Sequence, residues 1–224
     1  MQDDDKRIAA EAAVAEIQAG MLIGLGTGST AYFAIEALGR RTRDGLTIRA
    51  VATSDASERQ ARTLGIEMLD FARVERVDLT IDGADEIDDR CRAIKGAGGA
   101  MLREKTVAAA SRRMIVIADG SKRVAALGGV PVPVEILPFA CASVLAALGK
   151  GAVLRTAGSE PYRTDNGNWI ADVRGMLDDP RAVAARLDAI PGVLGHGLFL
   201  DEVDAAYIAC RGVVTRLERS PASG

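Results

Sequence analysis

Val77-Asp78-Leu79-Thr80-Ile81-Asp82-Gly83-Ala84-Asp85-Glu86, followed shortly by Lys95-Gly96-Ala97-Gly98-Gly99-Ala100-Met101-Leu102-Arg103-Glu104-Lys105, reads as a strand, a loop and a helix that converge on one place. The run 77–81 predicts a short buried strand bounded by turn chemistry. It delivers Asp82 and Asp85 to a loop where Gly83 permits a tight turn. In open α/β sheets, ligands lie outside the carboxyl ends of the strands. Lys95, a glycine-rich turn and a helix over 99–111 carrying Glu104 follow. Two acids, a cation, exposed backbone donors and a candidate base thus share one short segment.

Working outward, residues 3–19 predict a first helix, with an Asp cluster that complements its N-terminus. A strand over 21–25 runs into Gly24-Leu25-Gly26-Thr27-Gly28-Ser29-Thr30 and then a helix over 31–40. A strand, a glycine-rich turn and a helix start with Ser29 and Thr30 make an anion-binding design. The Walker pattern needs a lysine that is absent here. The dinucleotide fingerprint needs a third glycine, and positions 29 and 31 are Ser and Ala. A single phosphate or a polar sugar fits better; a plain βα turn with a Ser/Thr cap is the alternative. Further strands over 47–52, 66–69 and 114–118 alternate with helices, which predicts a doubly wound, mostly parallel sheet. Thr53-Ser54-Asp55-Ala56-Ser57 caps the helix over 58–64, its hydroxyls facing the same crevice or simply capping, and Asp119-Gly120-Ser121-Lys122 closes the strand over 114–118.

The character changes near Leu127. Gly128-Gly129-Val130-Pro131-Val132-Pro133-Val134-Glu135 carries alternating prolines, which suits a linker or an edge strand and not a central one. Helices over 139–148 and 180–188, with strands over 152–155, 169–173 and from 193, make a small α+β insert. Strands over 205–210 and 213–217 return to the main sheet. The expected division is a main domain of 1–127 and 200–224 and a smaller one of 128–199.

Composition narrows the function. The 224 residues are 48% apolar with few aromatics, as a globular α/β chain requires. A net charge of −3 without a basic stripe argues against nucleic acid. The start Met1-Gln2-Asp3-Asp4-Asp5 is unlike a signal peptide, and the longest uncharged apolar stretch, 136–149, is too short to span a bilayer. No membrane partner is expected. Cys91, Cys141 and Cys210 are odd in number and lack metal-type spacing, so they read as free thiols in a reducing cytoplasm.

Glu104 shares a helical stripe with Met101 and Ala108, so it interrupts a core-facing surface, and partial burial raises a carboxylate towards the range of a useful base. A solvated acid between Arg103 and Lys105 is the alternative. Asp82 and Asp85 do not match a calcium loop, since position 80 is Thr and no Glu falls at the twelfth place. With His196 the sole histidine, zinc chemistry and Ser or Cys nucleophile chemistry lack partners. No metal or other cofactor is expected. What remains is proton transfer or hydroxyl recognition on a polar, anionic small molecule.

These blocks, in this order, closely resemble ribose-5-phosphate isomerase, type A. The likeness extends through 131–138, Thr164-Asp165-Asn166-Gly167-Asn168 and Ala189-Ile190-Pro191-Gly192-Val193, over nearly the whole chain, and departs at Gly120 and over 151–162. The resemblance implies cofactor-free interconversion of ribose 5-phosphate and ribulose 5-phosphate. It assigns Glu104 as general base, acting through a cis-enediolate after ring opening. Asp82, Asp85 and Lys95 would hold hydroxyls and the carbonyl oxygen, with Lys95 stabilising the enediolate. Thr27, Gly28, Ser29 and Thr30 match the substrate loop, Gly83, Ala84, Gly96, Ala97 and Gly98 complete the wall, and Lys122 matches a basic contact. Lys6 is a further phosphate candidate. A Rossmann-like main domain, a ferredoxin-like lid and a homodimer or tetramer are also implied. A sugar-phosphate sensor on the same fold would need a DNA-binding segment, and none precedes Asp3 or follows Leu217. A related deaminase would want a ring-opening histidine, and a coenzyme A transferase a glutamate nucleophile in a larger site.

Overall fold

The computed structural model describes residues 2–175 and 177–220; the last four residues of the expected main domain lie outside them. Seven strands form the main sheet, in the spatial order Val213–Glu218, Ala205–Cys210, Met114–Asp119, Leu79–Gly83, Leu22–Leu25, Arg49–Ala52, Glu67–Met68. All neighbours are parallel except the terminal hairpin pair, Ala205–Cys210 with Val213–Glu218. The chain first winds outward from Leu22–Leu25 to Glu67–Met68, then returns to pair Leu79–Gly83 on the other side of the first strand. That reversal opens a crevice at the carboxyl ends of these two strands, where Leu25 is in register with Ile81.

Period-2 alternation sorts the side chains. Ile115 and Ile117 join Ile23, Leu25 and Ile81 in the core that includes Ala9 and Ala13 of helix Gln2–Val14 and Ile35 and Leu38 of helix Ser29–Arg43. Met114, Val116 and Ala118 point the other way, into the cluster that holds Met101 and Ala108 of helix Met101–Ala109. Each fully buried branched side chain contributes about 1.5–3 kcal/mol. The first helix stops at Val14, five residues short of the expected end, and the second begins at Ser29, two residues earlier than expected. Helix Met101–Ala109 presses closely on the sheet. A Cβ on Gly24 would lie 2.0 Å from Thr80 Oγ1 and 2.9 Å from Val107 Cγ1.

A second sheet is antiparallel, in the order Ala152–Leu154, Trp169–Val173, Val132–Ile136, Val193–His196. With helices Cys141–Leu148 and Pro180–Asp188 it makes a split βαββαβ, ferredoxin-like layer around Val134, Ile136, Val144 and Leu187. Here one expectation is corrected. The proline-bearing segment is not a linker or edge: Val132–Ile136 pairs on both sides. Pro133 is tolerated because its carbonyl, and so its nitrogen, faces the Val193–His196 side, where the ladder has just ended at His196–Val134 and only Gly197 N–H approaches, donating to the Pro133 carbonyl at 2.7 Å.

A third small sheet, Leu198–Phe199, Ala93–Ile94, Glu86–Asp88, Arg123–Val124, went unpredicted. Its hairpin turn is tied by Asp88, whose Oδ1 accepts from the N–H groups of Arg90 and Arg92 at 3.0 and 2.9 Å. Folding back in this way puts Lys95 beside Asp85, with Asp85 N–H donating to Ile94 O at 2.8 Å. Among the described residues no helix is long and apolar enough to cross a membrane.

Gly24→Ala is expected to push the helix off the sheet and cost at least about 1–3 kcal/mol, the usual price of overpacking. Thermal unfolding checks this, each kcal/mol lowering Tm by about 2–4 °C in a chain of this size; an unchanged Tm would refute the close packing.

Candidate active site

At the switch point the first strand runs into Gly26-Thr27-Gly28, and helix Ser29–Arg43 begins without a side-chain cap. Gly28 is at φ +100°, which favours glycine, and the turn leaves the first N–H groups of the helix for a ligand. The loop is braced from below: Thr27 Oγ1 is 2.8 Å from Thr53 Oγ1, and Ser57 Oγ donates to Gly26 O at 2.6 Å. Ser54 is the ordinary helix cap, accepting from Ser57 N–H.

Asp82 is expected on a loop against the ligand. It is instead the fourth residue of strand Leu79–Gly83 and wholly buried. Its Oδ1 accepts from Thr27 N–H at 3.0 Å and Gly83 N–H at 2.7 Å, and its Oδ2 is 3.0 Å from Lys95 Nζ. The fit is close enough that a Cβ on Gly26 would sit 2.0 Å from Asp82 Oδ1. Lys95 Nζ also donates to Gly83 O and lies 3.2 Å from Glu104 Oε2. One buried ammonium therefore stands between two buried carboxylates. The oxygens facing it, Asp82 Oδ2 and Glu104 Oε2, are enclosed and have no other donor among the described residues, so the Lys95 charge is what compensates them.

The electrostatics follow. Burial works against the Lys95 charge, yet Asp82 and Glu104 outweigh it and hold its pKa above the ordinary lysine value. Burial pushes Asp82 up, opposed by Lys95 and the two backbone donors. Burial and the nearby Asp82 carboxylate push Glu104 up to about 8, against the pull of Lys95. Glu104 is therefore the group that can hold or release a proton near neutral pH. It is not the solvated acid that the helix alone left open.

The cleft above this set is walled by Thr27, Gly28, Ser29, Thr30, Gly83, Ala84, Asp85, Lys95, Gly96, Ala97, Gly98, Glu104 and Lys122. Sequence reading named all of these. Asp82 lies one layer behind, and Lys6 is paired with Asp3 at 3.3 Å outside the wall. Asp85 is half-buried and accepts from Ala97 N–H at 2.9 Å. Among the described residues no group of three or more His, Cys, Asp or Glu is arranged to hold a metal.

Two supporting residues were missed. Glu86 grips the segment leading to the antiparallel sheet, accepting from Gly128 and Val130 N–H at 2.8 and 2.9 Å. Arg103, next to Glu104, joins Asp55 Oδ1 (2.7 Å), Asn166 Oδ1 (2.8 Å) and Asp165 O (2.9 Å), so it ties helix Met101–Ala109 to the 164–168 turn. That turn is organised by buried Glu135, which accepts from Thr164, Asn166 and Asn168 side chains. Strong helix-face charge and turn chemistry were visible in both cases, but their partners are over 40 residues away. A wider groove on the far side of helix Met101–Ala109 has ionic walls already paired, Arg103 with Asp55 and Arg62 with Glu58, and offers no comparable set.

The sequence profile of ribose 5-phosphate isomerase A (phosphoriboisomerase A) matches residues 49–212. A protein of Sphingopyxis alaskensis named ribose-5-phosphate isomerase A is 54% identical over 92% of both chains. Among solved structures, ribose 5-phosphate isomerase from Plasmodium falciparum superposes with a TM-score of 0.93 at 36% identity, covering 98% of this chain and all of that one. A D-ribose-5-phosphate isomerase in complex with phospho-erythronic acid gives 0.94 at 36%, over 98% and 100%. With the profile spanning most of the chain and a relative identical at more than half of its aligned positions, the chain belongs to the ribose 5-phosphate isomerase A family.

Proposed function

We propose that this protein interconverts ribose 5-phosphate and ribulose 5-phosphate, with Glu104 as the base. The observation that supports the reading most is the buried Asp82–Lys95–Glu104 set beneath a cleft that also holds a helix N-terminus. The helix start with Ser29 and Thr30, together with Lys122, suits the phosphate. Asp85 and the backbone donors of 96–98 suit the hydroxyls.

In the open-chain aldose, Glu104 takes the proton from C2. A C1–C2 double bond forms, and the electron pair of the carbonyl moves to O1. Lys95, held charged and desolvated, stabilises that oxyanion. Return of the proton to C1, with the hydroxyl proton passing from O2 to O1, completes the ketose. Asp82 orients Lys95 and helps to raise Glu104, so it acts from behind the wall. The phospho-erythronic acid bound to the relative carries a phosphate and a carboxylate on a short hydroxylated chain. A ligand of that class matches the charges of the proposed intermediate.

We propose further that residues 128–199 act as a lid and that the chain forms a homodimer or tetramer in the cytoplasm. Phe139, 96% exposed, with Leu137 and Leu194 gives the antiparallel layer an apolar surface that suits a second copy. The free thiols of Cys91, Cys141 and Cys210 suit a reducing compartment.

Three measurements test these readings. Glu104→Gln should lower kcat for ribose 5-phosphate by about 10²-fold or more, with KM nearly unchanged, as loss of a general base does. Wild-type turnover of the variant would move the base to Asp85, and an inert wild type would sink the isomerase reading. The free enzyme's kcat/KM should rise with pH through an acid limb near 8, because the base works only when deprotonated. A flat profile from pH 6 to 9 contradicts it. Light scattering should give a mass of twice or four times the 23.4 kDa chain; a monomer at micromolar concentration contradicts the assembly.

A further inference from the structure

Every carbonyl of the glycine-rich segment 96–98 is held from the antiparallel layer. Arg155 Nη1 donates to Gly96 O and Ala97 O, both at 3.0 Å, and Tyr162 OH donates to Gly98 O at 3.1 Å. Arg155 is itself fixed by a two-point pair with Asp172, Nε to Oδ2 at 2.8 Å and Nη2 to Oδ1 at 2.5 Å, and its side chain is only 16% exposed. Its guanidinium also lies over the Tyr162 ring, 5.8 Å from the centroid. Tyr162 comes so near the turn that a Cβ on Gly99 would be 2.5 Å from its hydroxyl. Both residues belong to the segment 155–162 that follows strand Ala152–Leu154.

In a trans peptide the carbonyl oxygen and the following N–H point opposite ways. Fixing the oxygens of Gly96 and Ala97 on the Arg155 side therefore turns the N–H groups of Ala97 and Gly98 away from it. The first of these reaches Asp85 Oδ2 at 2.9 Å, and Ala97 and Gly98 both line the cleft. The tie begins one peptide after Lys95, whose ammonium must stay within ion-pair distance of both Asp82 and Glu104.

We infer that Arg155 is a positioning residue for the isomerisation: braced by Asp172 and assisted by Tyr162, it sets the 96–98 backbone and thereby Lys95 and Asp85. Its planar fork does this by spending one edge on Asp172 and another nitrogen on two carbonyls, which a lysine ammonium cannot reproduce. The inference rests on the isomerase reading, and wild-type turnover of ribose 5-phosphate in the same assay reports on that reading separately.

The test compares Arg155→Lys and Tyr162→Phe with the wild-type protein in steady-state kinetics from pH 6 to 9, with thermal unfolding alongside. Arg155→Lys should lose about tenfold in kcat/KM, mainly in kcat, while remaining folded. Its acid limb should move to higher pH, because a loosened Lys95 stabilises the Glu104 carboxylate less. Tyr162→Phe, which removes one hydroxyl, should show the same direction at about two- to threefold. A purely structural pair would lower Tm and leave the acid limb in place. Arg155→Lys with kcat/KM within twofold of wild type and an unmoved acid limb overturns the inference, as does an unchanged Tyr162→Phe should Arg155→Lys not fold.

Discussion

The structure turns on one imbalance: a single ammonium, Lys95, buried between two carboxylates, Asp82 and Glu104. Enclosed charge is costly unless paired and hydrogen-bonded, and one cation cannot fully satisfy two anions. The two acids are not equivalent. Asp82 has two backbone donors on Oδ1 in addition to the ion pair, while Glu104 has only the ion pair among the described residues. The deficit therefore falls on Glu104, which is the physical reason that it can hold a proton near neutral pH. The surroundings serve this placement. Gly26 leaves room for Asp82, the Asp88-tied hairpin folds Lys95 back, and Gly24 lets the Glu104 helix reach the sheet.

Such a site weakens the fold as pH rises through neutrality. Glu104 sits at about 8 in the folded chain and returns to about 4.5 when unfolded. Over that interval the folded state binds the extra proton, so stability declines as pH rises from about 4.5 to 8 and the contribution is gone above it. Apolar packing elsewhere offsets this, in the fully buried Ile23, Ile81, Ile115 and Ile117 of the central strands. The buried position of Glu104 is thus maintained by a core that includes the strand delivering Asp82.

Much of this was legible beforehand, for identifiable reasons. Strands Trp169–Val173 and Ala205–Cys210 and helix Pro180–Asp188 matched their expected bounds, because apolar pattern and flanking turn residues agree there. The cleft residues were legible because loops at strand carboxyl ends are short and glycine-rich in sequence. The hairpin of Glu86–Asp88 and Ala93–Ile94 was not. Its strands are too short to show a period, and they persist by pairing with Leu198–Phe199 and Arg123–Val124 far along the chain. Pro133 misled for another reason: a proline excludes a ladder only on the side its nitrogen faces. Glu104 was half legible. The stripe with Met101 and Ala108 pointed inward, but nothing local says that Lys95 and Asp82 wait there.

The helix that carries Glu104 explains why two layers are needed. Met101, Val107 and Ala108 bury it against the main sheet, while Leu102 abuts Gly195 of the antiparallel layer, where a Cβ would come within 2.9 Å of Leu102 Cδ1. Arg103 and Lys105 flank Glu104 and are both committed, the first to the 164–168 turn and the second to Leu198 O and Glu202. A helix held on both faces and at both neighbours of its functional residue has no freedom to swing. Proton transfer needs heavy atoms within about 3 Å of one another, and such precision is easier to hold on a packed helix than on a loop.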